Sequence, residues 1–107
     1  SVLDTIGYFD EHFFLWFEEV DLCLRLQKAG KLIWYLPKAQ IVHHGGQSFM
    51  QTVPYEKQKI YNRSVVYFFY KHHGILPALV LLAITPLNLL AVAIYQRISS
   101  VTKRNAS

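Results

Sequence analysis

The sequence is poor in the residues that usually mark disulfide frameworks or low-complexity chains. It has one cysteine, Cys23, so no intrachain disulfide forms, and that usage points to a reducing compartment. A single cysteine and scattered histidines also fail the ligand spacing of a structural zinc site. Prolines number four and glycines five, which leaves no collagen-like or linker-like composition. Acidic residues almost vanish after the first fifth: beyond Asp21 only Glu56 remains. The chain opens at Ser1 without a charged, cleavable leader, so no signal peptide is expected and a piece of a longer protein is.

Apolar residues make up 52% of the 107 residues and aromatics 15%, enough for one small domain with a core. The net charge of +4 is unevenly spread. Asp4, Asp10, Glu11, Glu18, Glu19 and Asp21 all precede the first basic residue, Arg25. An acidic start followed by a basic remainder suggests a local acidic site and a separate basic surface. No basic run with interleaved aromatics is present, so no nucleic-acid partner is expected. The basic residues flank an apolar tract, which suits a membrane surface better.

Residues 1–16 read as a loop with a short strand or turn. A helical pattern covers 17–29, with Val20, Cys23 and Leu24 on one stripe and Leu22, Leu26 and Ala29 beside it. Glu18, Glu19 and Asp21 stand in its first turn, where the helix dipole favours negative charge. Asp21 and Arg25 have i,i+4 spacing, and Gly30 suits the C′ position. Leu32-Ile33-Trp34-Tyr35-Leu36 reads as a strand closed by Pro37, and Ala39 to Val42 as a second, ending at His43-His44-Gly45-Gly46. The aromatics Trp16, Trp34 and Tyr35 are expected to pack mostly in the core. Residues 56–73 read as an aromatic helix. Gly74 to Gln96 carries no formal charge and is long enough to span a hydrocarbon core. The expected divisions are 1–55, 56–73, 74–97 (membrane-associated or transmembrane) and a basic polar tail, 98–107.

Carboxylates at a helix start can serve as a general base that takes the proton of a substrate hydroxyl. From pattern alone, first-turn acids are more often dipole partners without catalytic duty. The ordered context separates the two readings. Gly7-Tyr8-Phe9-Asp10-Glu11-His12-Phe13-Phe14-Leu15-Trp16-Phe17-Glu18-Glu19-Val20-Asp21-Leu22-Cys23-Leu24-Arg25 resembles the "G-G-F-D-E-x-F-F-x-Y-x-E-D-x-D-L-x-x-R" signature of family two glycosyltransferases, in particular rhamnosyltransferase-like members. The resemblance continues through Ala29-Gly30, Pro37-Lys38-Ala39 and His43-His44-Gly45-Gly46-Gln47-Ser48, covering roughly residues 3–50.

The resemblance implies an α/β GT-A fold, of which this chain would be the C-terminal part. It implies a nucleotide-sugar donor and a lipid-linked or polysaccharide acceptor, as in cell-surface glycan synthesis at the cytoplasmic face of the membrane. Glu19 matches the family's catalytic base, with Glu in place of Asp, and Glu18 is the alternative carboxylate. Asp21 and Arg25 correspond to a supporting pair. His43 corresponds to a ligand of Mg²⁺ or Mn²⁺. Trp16 is a candidate for the acceptor pocket or for packing, and Arg63 and Lys59 for contact with a diphosphate or anionic headgroups, or as solvated helix charges. The family's Asp-x-Asp metal motif is absent, so this stretch alone is expected to be inactive. A membrane-anchored interaction module without chemistry is the competing reading.

Overall fold

The computed structural model describes residues 1–40, 42 and 54–105, with side chains described as far as Thr102. The chain divides into two compact units, Ser1–Gln51 and Thr52–Ser107.

The first unit holds α1 (Val2–Ile6) and α2 (Glu18–Lys28). The sequence reading missed α1. Its local signal is Asp4 at the third helical position, whose carboxylate accepts from the Ser1 amine. Gly7 then ends the helix at φ 83°, a left-handed backbone for which glycine is the default residue. α2 ends where expected, with Gly30 at φ 70° and the Gly30 amide bonded to Gln27 O at 2.9 Å.

The interior of this unit is not the apolar stripe the α2 periodicity suggests. Val20 is 43% exposed, whereas Asp21 is fully buried and Phe13 is the buried apolar residue. Glu18, Glu19 and Asp21 occupy the first turn, as the dipole favours.

The expected α/β architecture is not what the chain forms. Every helix or strand among the described residues is a helix, and no strand is present. The Leu32–Leu36 run is coil, with Trp34 78% and Tyr35 87% exposed. Residues 37–38 form a turn, closed by the Ala39 amide bonding Leu36 O at 3.0 Å. β-propensity describes how a side chain fits a pleated, half-buried surface; the strand itself requires a second backbone to complete its ladder. No other extended run among the described residues supplies one, and Pro37 lacks a donor. Residues 39, 40 and 42 are likewise outside any strand, and residue 41 lies outside the described residues.

The second unit is a helical hairpin of α3 (Pro54–His73) and α4 (Ile75–Asn105), reversing at Gly74 with φ 89°. α4 continues through the stretch expected to be a polar tail. Among the described residues of this unit, Ser64 and Phe68 of α3 and Ala78 of α4 are the buried ones. The small residues Ser64 and Ala78 permit close approach of the two helices. Asn62 Nδ2 donates to Asn88 Oδ1 across the pair at 3.0 Å and sets their register.

Two prolines are accommodated differently in α4. Pro77 lies in the first turn, where its missing amide is an orphan anyway. Pro86 lies in the interior and leaves one carbonyl of the preceding turn without its amide. Beside it, the Thr85 hydroxyl donates to Leu81 O at 2.9 Å.

Candidate functional site: an acidic helix start

The segment between α1 and α2 is built around Arg25. Its Nε donates to Asp21 Oδ2 at 2.8 Å. Nη1 donates to Ile6 O at 2.6 Å and Gly7 O at 2.9 Å, and Nη2 donates to Tyr8 O. One rigid guanidinium thus gathers three successive carbonyls and one carboxylate. The carboxylate is fully buried and the Arg25 side chain is 17% exposed. Charge-assisted hydrogen bonds in so dry a place are strong, provided both partners are present. Gly7 is required by its backbone: φ 83° disfavours any side chain, whereas a Cβ there would lie 3.4 Å from Arg25 Nη1, an ordinary contact.

Further along the loop, Asp10 Oδ1 accepts from the His12 amide at 3.0 Å and lies 2.8 Å from His12 Nδ1. The Phe13 amide bonds Asp10 O at 3.1 Å, which closes a turn and carries Phe13 inward. Near α1, the Tyr8 hydroxyl donates to Asp4 Oδ1 at 2.8 Å.

The chain then enters α2 through two consecutive left-handed residues, Trp16 at φ 63° and Phe17 at φ 71°. Bulky L-residues rarely adopt this backbone, and each costs on the order of 1–2 kcal/mol. The tight reversal sets Glu18 and Glu19 at the first positions of α2. Phe17 is the N-cap and makes no side-chain cap bond. Glu19 is exposed. Glu18 is half-buried, and its Oε2 is shielded from solvent without a hydrogen-bond partner.

Glu18, Glu19, Asp21 and Arg25 therefore share one helix, but they divide into two sets. Asp21 and Arg25 face inward and are saturated by each other and by the loop carbonyls. The two glutamates stand at the strained entry. Trp16, half-buried, belongs to that entry. Arg63 is on α3, exposed, beside an open groove of about 720 Å³ that Lys59, Tyr67 and Leu82 also line. His43 lies outside the described residues. Among the described residues no three His, Cys, Asp or Glu side chains come together in a way that would hold a metal ion. Asp21 and Asp10 are already engaged by Arg25 and His12, and the Mg²⁺ or Mn²⁺ expected at His43 falls outside the described residues.

Over part of its length the chain is similar to known transferases. Over 48 residues the chain is 46% identical to the N-acetylglucosaminyl-diphospho-decaprenol L-rhamnosyltransferase of Mycobacterium tuberculosis (strain ATCC 25618 / H37Rv). That stretch is 45% of this chain and 16% of the relative. Over 47 residues it is 41% identical to Rhamnosyltransferase WbbL of Escherichia coli (strain K12), covering 41% of this chain and 18% of that protein. The similarity thus spans less than a fifth of each curated relative. No family model and no solved structure matches the chain. The similarity supports a rhamnosyltransferase-like glycosyltransferase.

Proposed function

We propose that the chain is part of a family two enzyme that transfers a sugar of the rhamnose type, with inversion, from a nucleotide-diphosphate donor to a hydroxyl of a lipid-linked acceptor at the cytoplasmic face of a membrane. The observation that carries this is the 46% identity to a transferase whose name specifies a diphospho-decaprenol-linked substrate. In the reaction the acceptor oxygen attacks the sugar's anomeric carbon. Its proton passes to a carboxylate, and the nucleoside diphosphate departs. Glu19 is the proposed base, because its carboxylate is exposed at the helix start while Glu18 Oε2 is shielded. Asp21 and Arg25 act through position, locking α2 to the loop at Ile6–Tyr8. His43 is the proposed metal ligand within the whole protein. α4 supplies the membrane contact, being long and apolar enough over Ile75–Thr102 to cross a bilayer.

The test is made in the full-length protein. Glu19→Gln lowers turnover by roughly 10²–10⁴-fold, the usual contribution of a general base, with donor binding nearly unchanged. Glu18→Gln has the smaller effect. Unchanged turnover in Glu19→Gln, with loss in Glu18→Gln, moves the base to Glu18; unchanged turnover in both removes the site from this helix.

A further inference from the structure

The hairpin holds a conflict that hydropathy alone does not reveal. α4 is apolar enough to cross a bilayer, and it is exposed on several sides: Leu76, Val80, Leu87, Leu90, Ile94 and Ile98 are each at least half exposed. α3, packed antiparallel along it, is not apolar. Its exposed side carries Glu56, Lys59, Arg63 and Tyr70. The Asn62–Asn88 bond places Asn88 beside Asn62, and Asn88 is the midpoint of the apolar Ile75–Thr102 stretch. Arg63, next in sequence to Asn62, therefore stands level with the middle of that stretch, and Lys59 lies one turn away. If α4 crossed the bilayer with α3 attached, both cations would sit near its centre, with Glu56 the one acid beside them. Among the described residues neither Lys59 nor Arg63 finds an ion-pair or hydrogen-bond partner. Unpaired charges at that depth are strongly disfavoured.

We propose that the α3–α4 hairpin lies in the plane of an anionic membrane surface, with α4 sunk at the acyl boundary and the Lys59 and Arg63 side of α3 among the headgroups. The hairpin as a body has the required asymmetry: an apolar helix on one side and a charged helix on the other. Charge complementarity selects the lipid. Lys59 and Arg63 face outward with Glu56 as the one acid beside them, so the headgroup layer is anionic phospholipid. The small buried core of Ser64, Phe68 and Ala78 is kept, and no buried charge needs a new partner. The placement rests on the membrane association read above and changes its geometry from crossing to lying flat.

Sidedness of labelling decides it. In the full chain with Cys23→Ser, a single cysteine is introduced by His73→Cys at the hairpin tip or by Ser100→Cys near the end of α4. Along a straight helix these positions are about 40 Å apart, more than the hydrocarbon thickness. Membranes are treated with an impermeant maleimide, once as spheroplasts and once as inverted vesicles. The flat hairpin is labelled at both positions from the same side; labelling from opposite sides overturns it in favour of a spanning α4. Protein found wholly in the supernatant instead overturns the membrane reading itself, and the flat hairpin with it. A second measurement addresses the lipid. Arg63→Gln lowers partition onto phosphatidylglycerol vesicles roughly fivefold, from about 1 kcal/mol per surface cation, and leaves partition onto phosphatidylcholine unchanged. Equal binding of both proteins to phosphatidylglycerol overturns the headgroup assignment of α3.

Discussion

The two units of this chain solve the problem of small size in opposite ways. Unit Ser1–Gln51 organises its described residues around a polar hub, in which one arginine binds one buried carboxylate and three carbonyls. Unit Thr52–Ser107 is a pair of long helices with a thin packed seam and much apolar surface left outside. The first is directional. Its hydrogen bonds set where Gly7, Tyr8 and the start of α2 lie relative to one another, which is what a reacting carboxylate needs. The second is non-directional. Its exposed leucines and valines gain most from any apolar medium they reach, whatever the angle of approach. A site is built where geometry is dictated, and a docking surface where area is.

This contrast can be broken at its strongest point first. Arg25→Leu strands the Asp21 carboxylate in a buried position and releases three carbonyls. The expected loss is about 3–5 kcal/mol, enough to unfold so small a unit. Circular dichroism should show α2 lost while the α3–α4 helices persist; intact α2 would mean the hub is not what holds it. Arg25→Lys keeps the charge but loses the planar fork, so it should fall between wild type and Arg25→Leu.

Gly7→Ala comes next. Its φ of 83° makes the substitution cost about 1–2 kcal/mol. Thermal denaturation measures it, and an unchanged midpoint would show the turn to be adaptable. The mildest change lies in the other unit. Asn62→Ala removes the inter-helix hydrogen bond at a partly exposed place, costing about 1 kcal/mol or less. A larger loss of helical signal would show the hairpin to be more directional than its apolar composition implies.

Helix α2 was legible because caps, first-turn acids and periodicity agree locally: residues 17–29 were expected and Glu18–Lys28 found. α3 and the apolar tract were legible for the same reason, since a helix satisfies its own backbone. α1 was missed because a five-residue helix is too short to show a period. The Leu32–Leu36 strand was misread because strand formation depends on a partner elsewhere, and apolar alternation carries no information about whether one exists. Asp21 and Arg25 were visible as an i,i+4 surface pair. Their burial and the three carbonyls contributed from seventeen to nineteen residues away were not.

What the sequence alone determined is local and chemical. It placed carboxylates at a helix start, put Gly7 and Arg25 in the order that resembles a glycosyltransferase, and laid down a tract apolar enough for a bilayer. The tertiary structure decided which acid is spent on structure and which is exposed. Asp21 is consumed by Arg25, Glu18 is partly shielded, and Glu19 faces solvent. It also decided that the apolar helix has a charged companion in fixed register. Both outcomes depend on distances between residues far apart in the chain. Such distances follow from packing and shared hydrogen bonds, which no local pattern encodes.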